Sequence, residues 1–148
     1  MSAAQRYCNT QKADLVSIHS DLENNFISFQ VNKKKQRFWI GAQRKTNRSA
    51  EWLWTWTDGS SFDYENFFPG KPETHGGIQD CLDIGYNVRD SWDDQPCGHQ
   101  LPFVCKKQAE RMTGDMLNGC YFLTDRFPFS LIVGVSRVGL SLEHWTVC

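Results

Sequence analysis

A chain of 148 residues with six cysteines and six tryptophans is long enough for one domain with a sizeable core and too short for two of ordinary size. Sixteen Lys and Arg against seventeen Asp and Glu leave a formal net charge of -1. No basic field therefore exists to hold a phosphate backbone or an anionic membrane surface, and nucleic acid is not an expected partner.

Six cysteines are an even number, and no pair has the spacing of a zinc ribbon or a redox site. Disulfides are the better reading and imply an oxidising, extracellular compartment; spacing alone does not choose among the pairings. The sequon Asn47-Arg48-Ser49 agrees with a secreted glycoprotein. The opening MSAAQRYC lacks a charged segment followed by an apolar one, so no signal peptide is read there.

In chain order, residues 2–12 suit a short helix with Ala3, Ala4, Tyr7 and Cys8 on one side. Leu15-Val16-Ser17-Ile18 is β-prone. Ser20 and Glu23 then form a capping box opening a second helix, whose buried stripe is read as Leu22, Phe26, Ile27 and Phe29 or Gln30. Lys33, Lys34 and Lys35 fall in its last turn, where they complement the helix dipole. Phe38-Trp39-Ile40-Gly41 is a short buried strand. Trp52, Trp54 and Trp56 recur at period two on a further strand and read as core, and Asp58-Gly59 is a hairpin-type turn. From Phe62 onward Pro69-Gly70-Lys71-Pro72-Glu73 and Gly76-Gly77 break up regular structure and predict a long loop.

Residues 80–105 hold three cysteines and a run of acids around Trp92. Leu82-Asp83-Ile84 alternates as a half-buried strand does. Asp93-Asp94 repel each other unless well solvated or liganded, so the pair is either a solvated acidic turn or part of a cation site. His19, His75, His99 and His144 are scattered, none in a recognisable nucleophile or metal motif, and no enzyme is expected.

Taken together the chain resembles the C-type lectin-like domain over residues 3–106. The landmarks are Ala4 and Cys8, Leu15-Val16-Ser17-Ile18-His19-Ser20 with Glu23, Trp39-Ile40-Gly41, Trp54-Thr55-Trp56-Thr57-Asp58-Gly59-Ser60, Gly70-Lys71-Pro72-Glu73, Cys81, Trp92-Asp93-Asp94, Cys97 and Phe103-Val104-Cys105. The resemblance implies an α+β fold, two helices flanking small antiparallel sheets with a long irregular loop carrying the ligand site. It implies pairings of Cys8 with Cys105 and of Cys81 with Cys97. It further implies an extracellular module binding a glycan or glycoprotein, by way of calcium in members whose loop reads Glu-Pro-Asn or Gln-Pro-Asp. Here Lys71 stands at the first loop ligand, and an ammonium offers no lone pair to a cation. Glu73, Gln79, Asp93 and Asp94 could supply a partial calcium shell, and the ligand-binding set is read as Lys71, Glu73, Asp93 and Asp94. The rival picture pairs Lys71 with Asp93 or Asp94 as an exposed ion pair that leaves the domain calcium-independent and binding a protein or other surface. Pro72 is cis if the calcium-binding pattern applies and trans by ordinary preference.

The division follows: residues 1–106 form the domain without the family's usual first strand, and 107–148 form a tail of unknown structure. Within the tail the apolar stretch 127–135 is too short to span a bilayer. Gly134, Gly139 and Pro128 argue for loose packing, against the alternative that residues 131–135 cover the open edge of the last strand. The fate of Cys120 and Cys148 is open.

Overall fold

In the computed structural model the described residues are 1–32, 36–46, 52–73, 79–85, 90–108 and 129–134. Lys33, Lys34, Lys35, the sequon, Gly76-Gly77, His75, His144, Cys120 and Cys148 lie outside them.

Helix α1 (Ser2–Thr10) buries Ala4 and Cys8, one turn apart, while Ala3 faces solvent. Strand β1 (Asp14–Leu15) follows. Helix α2 (Asp21–Asn32) opens on the expected box with one shift: the Ser20 hydroxyl accepts from the Glu23 amide at 3.3 Å, but the Glu23 carboxylate reaches back to the His19 amide at 2.8 Å. Its buried stripe is Asn24, Ile27, Ser28 and Val31, at helical spacing. Leu22 and Phe29, read from the sequence as buried, are 61% and 63% exposed. Polar Asn24 wins a core position because its side-chain oxygen accepts the Trp92 indole N–H at 2.8 Å, and a buried amide with partners costs little.

Among the described residues seven strands form one mixed sheet: β1, β2 (Phe38–Thr46), β3 (Trp52–Trp56), β4 (Cys81–Ile84), β5 (Trp92–Gln95), β6 (Phe103–Gln108) and β7 (Phe129–Gly134). β2 is the hub. It pairs parallel with β6 through Trp39 and Phe103, and antiparallel with β3 and β4, with a register shift between Trp39 and Gln43 that lets one strand serve both partners. Gly41 sits at the crossing, where an added Cβ would meet the Leu15 carbonyl oxygen at 2.7 Å and the Thr57 hydroxyl at 2.8 Å.

One core layer gathers Val16, Ile18, Ile27, Phe38, Ile40, Leu82, Ile84 and Trp92 with Trp56. Trp56 is buried and Trp54 half-buried, as period two requires. A second layer joins α1 to the sheet through Ala4, Cys8, Leu15, Trp39 and Phe103. The Cys8–Cys105 bridge, across 97 residues, ties α1 to β6, and Cys81–Cys97, across 16, braces the segment carrying β4 and β5. By loop entropy such closures contribute about 5 and about 3 kcal/mol.

The outer edge of β6 is covered. β7 runs antiparallel to it in unbroken register, from Phe103 opposite Gly134 to Gln108 opposite Phe129. The expectation of loose packing fails for residues 129–134: Gly134 ends the strand instead of interrupting it, and pairing satisfies backbone groups that an open edge would leave without partners, while Pro128 and Gly139 fall outside the described residues.

Candidate functional site

β5 lies at the sheet's far edge, and the long loop closes over it. Trp92 N–H donates to the Asn66 carbonyl at 2.8 Å, Phe68 N–H donates to the Trp92 carbonyl at 2.9 Å, and Phe67 bridges Trp92. Beneath this stretch Trp92 is fully buried against Trp56, Phe62, Tyr64 and Phe67. The loop is thereby fixed at Phe68, and the Lys71 N–H donates to the Phe68 carbonyl at 2.8 Å to complete the turn into Lys71-Pro72-Glu73. The Lys71-Pro72 peptide is cis. His19 adds a second clasp from the start of α2, with Nδ1 at 2.7 Å from the Asp63 carboxylate and Nε2 at 3.2 Å from the Ser60 hydroxyl.

Asp93 and Asp94 are neighbours within β5. Neither is solvated: they are 1% and 0% exposed. The solvated-turn reading therefore fails, because the fold supplies partners that replace water. Asp94 Oδ1 accepts the Glu73 N–H at 3.0 Å, and the Gln79 side-chain amide donates to the Asp94 carbonyl at 3.2 Å. Asp93 Oδ1 lies 3.2 Å from Lys71 Nζ, and the same ammonium is 3.3 Å from Glu73 Oε2. Lys71, Glu73, Gln79, Asp93 and Asp94 thus meet in one place. The lysine pair is not an exposed one, since the Lys71 side chain is only 12% exposed.

Two further residues belong to this cluster. Asp83, expected in a half-buried strand, is fully buried and sits directly opposite Asp93 in the β4–β5 ladder. Like charges so placed repel. Arg37 resolves the conflict: its Nε lies 2.9 Å from Asp83 Oδ2 and its Nη2 donates to Asp93 Oδ2. Burial lifts the Asp83 carboxyl to about 7 against the attraction of Arg37, with Asp93 and Asp94 adding repulsion. Burial alone would lower the Lys71 ammonium, but the hydrogen bond and charge of Asp93, then of Glu73, hold it above the ordinary lysine value. Arg37 stands two places after the run of three lysines, with no motif around it. Asp83 sits between Leu82 and Ile84 and reads as the solvent face of a strand. Neither carries a local signal for its role.

Calcium requires 6 to 8 hard oxygens. Here both Asp93 oxygens face cationic side chains, Asp94 Oδ1 is held by a backbone amide and Glu73 Oε2 by Lys71. Among the described residues no three His, Cys, Asp or Glu side chains gather so as to hold a metal ion. With an ammonium and a guanidinium already between the carboxylates, this donor set does not fit a calcium ion.

The model of the Lectin C-type domain matches residues 1–107. Ladderlectin of Oncorhynchus mykiss is 36% identical over 111 residues, 72% of this chain and 57% of its own length, so this chain spans under two thirds of that relative. Among solved structures, the mouse scavenger receptor C-type lectin carbohydrate-recognition domain is 29% identical with a TM-score of 0.63, covering 74% of this chain and 82% of that one. A calcium-independent type II antifreeze protein is 31% identical with a TM-score of 0.55, covering 65% and 68%. The two disulfides, the loop closed over Trp92 and these likenesses agree, and the chain belongs to the C-type lectin domain family.

Proposed function

We propose that this chain is an extracellular recognition module that binds a glycan or glycoprotein through the face built by Lys71, Glu73, Asp93 and Asp94, and does so without calcium. The observation that supports this reading is the Lys71 ammonium, 3.2 Å from Asp93 and 3.3 Å from Glu73, at the meeting point of the carboxylates. Positive charge is then supplied by the chain itself, and the loop keeps its shape with no ion to lose. Glu73, whose side chain is 41% exposed, and the outer edge of Lys71 present a carboxylate and an ammonium to ligand hydroxyls. Asp93 and Asp94, being buried, act as positioning residues: one fixes the ammonium and the other fixes the Glu73 backbone. Two disulfides suit an oxidising compartment.

A second reading, recognition of a protein or another surface in place of sugar, is favoured by the likeness to a calcium-independent antifreeze protein. Passage over a panel of immobilised sugars, with and without a chelator, separates the cases. Retention that survives chelation and falls in Glu73→Gln fits a metal-free lectin. Retention abolished by chelator contradicts the proposal, and no retention on any sugar leaves the second reading.

A further inference from the structure

A groove of about 380 Å³ runs between α1 and the β2–β3 ribbon, lined in part by Gln5, Arg6, Gln43, Lys45, Thr55 and Thr57. None of these residues belongs to the loop face. Among the described residues that line it none is acidic, whereas two are cationic. Arg6 and Lys45 are both exposed, and neither has an ion-pair partner among the described residues. Of the described acids, the ones nearest in sequence are already engaged by uncharged donors. Asp14 accepts the Gln5 side-chain amide at 2.7 Å, and Asp58 accepts the Ser17 and Ser60 hydroxyls, each at 2.6 Å. Two cations with no ion-pair partner among the described residues therefore share a concave polar surface on a chain of almost zero net charge.

We propose that this groove binds an anionic saccharide, a sugar bearing a sulfate or carboxylate group. A guanidinium offers a planar fork that takes two oxygens of such a group, and the lysine adds a point charge. Gln43 and Thr55 stand opposite each other in the β2–β3 ladder and supply amide and hydroxyl groups for ring hydroxyls; the Thr55 hydroxyl donates to the Gln43 carbonyl at 3.3 Å, leaving its own lone pairs as acceptors. The volume lies at the small end of ligand sites, on the scale of one or two sugar rings. Attraction at so exposed a site is screened by salt, so binding weakens as ionic strength rises. This site does not depend on how the loop face is used.

The test is calorimetric titration of the full chain at low salt with a heparin-derived tetrasaccharide, its desulfated counterpart, which keeps its carboxylates, and neutral chitotetraose. Saturable binding of either anionic saccharide but not of chitotetraose is expected, about tenfold weaker in Arg6→Gln and in Lys45→Gln. Both substituted side chains are exposed, and a melting curve matching that of the native chain checks the fold. On the native chain, amide shifts of Gln43 and Thr55 during the titration report the same site with no substitution. The proposal is overturned if neither anionic saccharide binds at millimolar concentration, if both variants bind as the native chain does, or if the shifted amides cluster instead at residues 71–73.

Discussion

Replacing Lys71 by Gln removes the ammonium while keeping a hydrogen-bond donor of similar reach. At 3.2 Å from Asp93 Oδ1, a unit charge in an effective dielectric of about 20 has a gross attraction of about 5 kcal/mol. Desolvation of the lysine offsets part of this, and glutamine recovers a neutral hydrogen bond. The contact to Glu73 adds little, because that carboxylate is 41% exposed and screened by solvent. What remains is a carboxylate only 1% exposed that has lost one of two cations, a net cost of about 2 to 3 kcal/mol. For a domain of this size that lowers Tm by roughly 6 to 10 °C. The assay is thermal unfolding followed by near-ultraviolet circular dichroism in chelator with disulfides intact, since Trp92 beneath the loop reports its packing. A Lys71→Gln melt within about 2 °C of the native chain would mean that Lys71 does not hold the loop.

Asp83→Asn should change the pH dependence of stability. Because the native Asp83 carboxyl is raised to about 7, the folded chain holds that proton more tightly than the unfolded one. Its contribution is complete below the ordinary carboxylate pKa and is lost as pH rises through about 7, by up to about 1.4 kcal/mol per pH unit. Denaturant titrations of both chains from pH 4 to 8 should show the native chain losing stability relative to Asp83→Asn as pH rises toward 7, and parallel curves would refute it. Gly41→Ala forces a Cβ against the Leu15 carbonyl and is expected to lower stability by about 1 to 3 kcal/mol, measured from the denaturant midpoint; an unchanged midpoint would show that the strands separate at no cost. Hydrogen exchange tests β7: protection is expected within residues 131–134 from pairing with β6, and uniformly fast exchange there excludes the strand.

Patterns with a strong local period were the ones legible in the sequence. The capping box at Ser20 and Glu23, the Trp54–Trp56 alternation and the Phe38-Trp39-Ile40-Gly41 strand each state their own structure. Cysteine spacing left the pairing open, and only the family resemblance named it. Helix α2 misled because Leu22 and Phe29 are apolar yet outward, while Asn24 and Ser28 are polar yet inward; the indole N–H of Trp92, far along the chain, makes Asn24 worth burying. At the site, only the family resemblance joined Lys71 and Glu73 to Asp93 and Asp94 as a group. Arg37 and Asp83 could not be picked out, because their roles exist only once β4 and β5 place Asp83 opposite Asp93. β7 was visible as a cover for the open edge of the last strand, but Pro128 and Gly134 weighed locally against it, and only the pairing with β6 decides between the two readings.

Calcium titration by calorimetry tests most directly whether the chain's own cations have taken the place of a metal. The native chain should show no saturable binding at concentrations up to about 1 mM, where extracellular calcium modules are half filled, and Lys71→Glu, which exchanges the ammonium for another oxygen donor, should bind more tightly than the native chain. Stoichiometric binding by the native chain with Kd below about 1 mM would contradict a metal-free recognition face.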